Sequence, residues 1–176
     1  DYLSSLELKI KVFVDDEKFI SRMAQMTQKT NQFNLTTARY TETDLYRFVL
    51  DENFKVICIS VSDKFGDSGI TGLCILKLNR LNKSALIDTL LMSCRVIGRN
   101  IEFAFVDKII KILKQEGIIN IEATYQKTIK NSQVSDLFDK CDFNLKEKTD
   151  NIKYYFINLK NYQQRIIKYI EVINGK

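Results

Sequence analysis

Arg95, Gly98, Arg99 and Asn100 form a pattern, Arg-x-x-Gly-Arg-Asn, that joins two different kinds of sequence. Before it runs an apolar, strand-like stretch that ends in LLMSC, and after it Ile101 opens an amphipathic helical stretch. A strand that feeds a glycine turn and then a helix leaves several backbone N–H groups without intrahelical partners. Those donors, the positive end of the helix dipole and two arginines converge on one place. Such a place suits an anion, and pyrophosphate first of all. Gly98 lets a phosphate approach the backbone closely. Ser93, Cys94 and Val96 border the same turn. Neither the G-x-G-x-x-G fingerprint nor the P-loop G-x-x-x-x-G-K-[ST] occurs in the chain.

Other residues could act around this turn. Cys94 reads either as an acyl-accepting nucleophile, its thiolate favoured by Arg95, Arg99 and the helix start, or as a buried strand-end cysteine. Asp88 stands mid-strand among apolar residues. It is either a desolvated general base or the partner of an arginine. Glu102 is a second candidate base, or a first-turn residue that balances the helix dipole. The run Asn31, Gln32, Asn34, Thr36, Thr37 and Arg39 carries amide and hydroxyl groups. They suit a polyhydroxylated or peptide-like ligand, or else the capping and turn bonds of a loop. Tyr125, Thr128, Lys130 and Asn131 follow a later strand and form another polar group.

The elements that position these residues follow from periodicity. Residues 6–14, LELKIKVFV, alternate as a half-buried strand. Asp15 or Asp16 can cap a helix running to about Lys29, and Thr41 or Thr43 a second short helix, DLYRFVLDE. Residues 54–63 and 70–78 read as strands around the turn FGDSG, and 85–92 as a fourth strand. The spacing predicts a helix over 101–115, stopped by Gly117, then a strand over 119–125, a short helix over 131–140 and a strand over 152–159. Residues 166–173 have helical spacing and read as a C-terminal tail helix. The order is β-α-α-β-β-β-α-β-α-β with a tail, in one domain spanning 1–176 with its core at about 3–159.

Composition removes several function classes. The chain of 176 residues has no histidine, so Ser-His and Cys-His pairs and imidazole metal ligands are excluded. Its four cysteines form no CxxC pair, which speaks against structural zinc and for a reducing, cytoplasmic setting. The net charge of +5 is spread without a block of like charges, so nucleic-acid binding is not favoured. No apolar run is long enough to span a bilayer, and no membrane partner is expected.

The pattern at Arg95 to Asn100 resembles the acyl-CoA pyrophosphate turn of GNAT-fold acyltransferases, [RQ]-x-x-G-x-[GA]. Three blocks sharpen the likeness: AQMTQKTNQFNLTTARYTE, SDKFGDSGITG, and DTLLMSCRVIGRNIE joined to EATYQKTIKNSQVSDLFDKCDF. Together they resemble the C-terminal GNAT-like half of FkbH-like proteins, over roughly residues 3–159. The resemblance implies an α/β GNAT fold, a mixed, mostly antiparallel sheet with helices on both faces. It implies no tightly bound cofactor, and coenzyme A or a phosphopantetheine thioester as cosubstrate. It implies an acyl carrier protein as partner, a HAD-type domain normally in the same polypeptide, and loading of a glyceryl or related acyl unit. On that basis the run from Asn31 to Arg39 lines an acceptor site. The fifth strand splays from the fourth to open a groove for the pantetheine arm, and Asn131 bonds that arm or caps the short helix. The alternative is a non-catalytic docking module serving a separate HAD active site. Two departures bear on this choice. No D-x-D-x-[TV] motif occurs in the chain, and Phe138 stands where many GNAT enzymes place a proton-donating tyrosine.

Overall fold

The computed structural model describes residues 1–175. Its elements are α1 (Tyr2–Ser5), β1 (Leu8–Val14), α2 (Ile20–Lys29), α3 (Glu42–Leu50), β2 (Phe54–Asp63), β3 (Gly66–Asn79), β4 (Ser84–Met92), α4 (Ile101–Gln115), β5 (Asn120–Gln126), α5 (Leu137–Lys140), β6 (Asn144–Lys148), β7 (Ile152–Asn158) and β8 (Ile170–Asn174). The strands form one sheet in the order β6-β7-β5-β4-β3-β2-β1-β8. The pairs β4–β5 and β1–β8 are parallel and the others antiparallel.

Alternation along β2 sets the two layers. Val56 and Cys58 pack with Ile20, Met23 and Leu45 of α2 and α3, whereas Ile57 and Ile59 pack with Phe105 and Ile109 of α4. Both faces of the central strands are therefore buried, and FKVICISVSD reads as a continuous apolar run for that reason. The capping box expected before α3 is made by Thr41 and Asp44. Helix α4 keeps the bounds its periodicity predicts and ends with Gly117 at φ +81°, where the Ile118 N–H bonds the Leu113 carbonyl. Gly72 is needed beneath it, since a Cβ there would lie 2.6 Å from Ile59 and 3.2 Å from Phe105.

Two expectations fail at the edges. Residues 166–173 form no helix, because Ile170–Asn174 adds to the free edge of β1 as a parallel strand. Ile170 faces the α4 layer, and Asp107 of α4 ties the preceding segment through the Tyr162 hydroxyl and the Arg165 N–H, each at 2.8 Å. β-Branched residues at that spacing suit either structure, and an unpaired sheet edge decides for the strand. Strand β6 was not foreseen because every residue of NLKEK is exposed and carries no apolar period. Such a charged strand suits a sheet edge.

Candidate functional site

The sheet opens where β4 and β5 part. They pair only as far as Ile87 and Ala123, after which β4 runs on to Met92 beside β3 but without β5. The groove expected for a pantetheine arm is therefore present as a gap in the ladder, but the chain fills it. Residues 33–35 run antiparallel to β4 inside the gap. The Leu35 N–H donates to the Leu90 carbonyl at 3.1 Å, and the Met92 N–H to the Phe33 carbonyl at 3.0 Å. On the other side the Gln126 N–H donates to the Leu35 carbonyl at 2.8 Å.

Most of the predicted acceptor residues hold this inserted segment in place. Asn131 is fully buried. Its Nδ2 donates to the Asn34 and Gln126 carbonyls, and its Oδ1 accepts from the Thr128 N–H and the Tyr125 hydroxyl. It has no capacity left for a pantetheine arm, and it makes no side-chain cap to the turn that follows. Asn34 is likewise buried, donating to the Thr30 carbonyl and accepting from the Thr36 and Thr37 amides. The Thr36 hydroxyl donates to the Asp88 carbonyl, and Arg39 clamps the end of α2 through the Thr27 and Thr30 carbonyls and Asn31. Asp88 has no arginine partner among the described residues. Its carboxylate accepts from the Tyr40 hydroxyl at 2.6 Å and the Thr89 hydroxyl at 2.8 Å. Burial, reinforced by that bond to Asp88, raises the Tyr40 pKa.

The turn expected to bind an anion has the expected backbone and a different use of side chains. Gly98 takes φ +90° and Asn100 φ +64°, so the chain enters α4 through two left-handed residues. The backbone N–H groups of Gly98, Arg99, Asn100 and Ile101 find no acceptor among the described residues. Val96 is fully buried and anchors the turn. Arg99, expected to meet the anion, instead pairs with Asp63 at 3.1 Å, with both side chains partly sheltered. Asn100 donates to the Tyr169 hydroxyl of the C-terminal segment. Arg95 has no carboxylate partner among the described residues and lies at 3.4 Å from the Ser93 hydroxyl.

Two cavities meet at this gap. The larger, about 670 Å³, lies on the α2 side and is lined by Arg22, Lys29, Asn31, Cys94, Lys130 and their neighbours. The smaller, about 220 Å³, lies between the start of α4 and α5, and Gly98, Glu102 and Lys140 line it. Phe33 stands in the wall of both. Glu102 belongs to the smaller cavity. Its Oε2 is buried without a partner, and burial raises its pKa. A carboxyl whose pKa rises on folding destabilises the native state increasingly as pH climbs from the ordinary glutamate range toward the raised value. Glu102→Gln should therefore raise the melting temperature at neutral pH, and the gain should vanish in acid. Thermal melts across pH check this.

Cys94 is exposed in a short 3-10 turn after β4, not buried at the strand end. Cys58, Cys74 and Cys141 are buried. Burial pushes the Cys58 and Cys141 thiols up to about 12 and raises that of Cys74 as well. Iodoacetamide should therefore label the native protein once, at Cys94, as peptide mass mapping will show. Phe138 packs between Phe143 and Tyr155 and lines neither cavity. A hydroxyl added there would enter the core, so this position is a packing site in this chain. The turn amides and Cys94 are thus left as chemistry open to a ligand.

The architecture is that of the GNAT N-acetyltransferases. Three solved structures show it. One is the spermidine N-acetyltransferase SpeG of Vibrio cholerae in complex with CoA and spermine, with 11% identity and a TM-score of 0.65 over 89% of this chain and 98% of that one. A second is the ribosomal-protein-S18-alanine N-acetyltransferase of Escherichia coli, with 10% identity and a TM-score of 0.64 over 90% and 99%. The third is the PaiA N-acetyltransferase of Thermoplasma acidophilum in complex with coenzyme A, with 13% identity and a TM-score of 0.67 over 85% and 98%. No family model and no curated protein sequence matches the chain. Among the described residues no helix is long and apolar enough to cross a membrane, and no cluster of metal-ligating side chains occurs.

Proposed function

We propose that this chain is an acyltransferase-type domain that takes the phosphopantetheine thioester of coenzyme A or an acyl carrier protein. The row of unpaired amides from Gly98 to Ile101, at the start of a fifteen-residue helix, carries this reading. Such donors suit a pyrophosphate or phosphate, and the thioester would supply an acyl carbon open to attack. Loading of a glyceryl or related acyl unit onto a carrier protein, beside a HAD-type domain, is the finer form of the proposal. The resemblance to FkbH-like proteins supports that form.

One observation favours a second reading, a docking module that presents a carrier arm elsewhere. The backbone groups of Leu90 and Met92 that would border an arm in the gap are already bonded to residues 33–35. Glu102, the carboxyl best suited to take a proton, lies on the turn side of Phe33, away from the larger cavity. Calorimetry separates the readings. Coenzyme A should bind the wild type and fail to bind Gly98→Val, whose β-branched side chain strains a φ of +90°. Binding of a holo carrier protein without binding of free coenzyme A supports the docking module. Binding of neither contradicts both.

A further inference from the structure

We propose that the larger cavity accepts as the acyl acceptor a small amine or alcohol that also bears a carboxylate or a phosphate ester: its nitrogen or hydroxyl oxygen bonds to the thioester carbonyl carbon, the C–S bond breaks, and the acceptor's proton leaves on the released thiol. This rests on the acyl-transfer reading for the role of the ligand, but the site itself stands on separate residues. Arg22, Lys29 and Lys130 line the cavity, and no carboxylate lines it among the described residues. The Arg22 Nε and Nη1 are held by the Ile70 carbonyl at 3.2 Å and the Gln25 amide oxygen at 2.8 Å, so the guanidinium is fixed. Burial, and then the charge of Arg95 outside the lining, lower its pKa.

None of these four cations has an ion-pair partner among the described residues, although other basic residues such as Lys55, Arg99 and Lys111 do. Like charges gathered in a concave site repel one another unless a counter-charge joins them. The amides of Asn31 and Gln32 add neutral donors, and Met26, Met92 and Ile129 add apolar wall. Ile129 is 98% exposed at the mouth, where it can cover an occupant's carbon body. The arrangement fits a small organic anion and opposes a polyamine. The charge of the pocket thus sets this chain apart from SpeG, whose structure holds spermine.

The test titrates succinate, glycerol 3-phosphate and spermidine into the full chain at low salt by calorimetry, using wild type, Lys130→Glu, Lys29→Glu and Gly98→Val. Both lysines are exposed, so the reversed variants should keep the wild-type circular dichroism. At least one anion should bind the wild type and weaken roughly 10–100-fold in each lysine variant, as for a lost charged hydrogen bond. It should bind Gly98→Val as it binds the wild type. Preference for succinate assigns an acceptor that bears a carboxylate, and preference for glycerol 3-phosphate one that bears a phosphate ester. Anion binding without any binding of coenzyme A keeps the pocket and overturns the acyl-transfer reading. Spermidine binding better than either anion overturns the proposal. So does anion binding that survives both lysine reversals, or that is lost only in Gly98→Val.

Discussion

Asn131→Ala should destabilise the protein by about 3 kcal/mol, because truncation strands buried polar groups that its amide now satisfies. The amide bonds the carbonyls of Asn34 and Gln126, the amide of Thr128 and the hydroxyl of Tyr125. Alanine can replace none of these bonds, and water reaches the site poorly because Asn131 and Asn34 are fully buried. For a chain of this length the loss corresponds to a fall in melting temperature of roughly 6–12 °C. Urea denaturation measures it directly. A loss below about 1 kcal/mol, with coenzyme A binding abolished, would return Asn131 to the role of a ligand to the pantetheine arm.

Phe33→Ala should have an effect of similar size on stability and a second effect on the site. The side chain is 5% exposed, and removing a buried phenyl ring costs about 3 kcal/mol at the low end of such changes, since part of the ring already faces a cavity. Phe33 also lines both cavities. Removing its ring should widen the space between the start of α4 and the cation-lined pocket. Affinity for coenzyme A should rise, because an arm entering the gap no longer has to displace a packed aromatic ring. The same calorimetric titration used for the wild type measures this. Unchanged affinity alongside the expected loss of stability would show that Phe33 serves the core alone.

The sequence was most legible where chemistry and periodicity agree. Helix α4 and the turn before it follow from the spacing of Ile101, Phe105, Ile109 and Leu113 behind Gly98, and the structure places them so. The inserted segment was not legible. Asn34 and Thr36 are polar and carry no strand period, yet they lie beside β4 because the parting of β4 and β5 leaves backbone groups that must be bonded. Polar side chains between elements look alike whether they await a ligand or bond their own loop. Here Asn34 and Arg39 bond the chain just before them, and Asn131 bonds both its own loop and the Asn34 carbonyl. The pairing of Arg99 with Asp63 was hidden for a related reason, since the two lie far apart in the chain and meet only through the sheet. The cation-lined cavity assembles Arg22, Lys29 and Lys130 from separate segments, so no run of like charges betrays it.

Amide hydrogen exchange with and without coenzyme A tests the account most directly. Leu35 and Met92 bond across the gap and should exchange slowly in the free protein, whereas Gly98 to Ile101 should exchange fast. Saturating coenzyme A should slow the amides of Gly98 to Ile101. Exchange at those four amides that coenzyme A leaves unchanged would contradict the account.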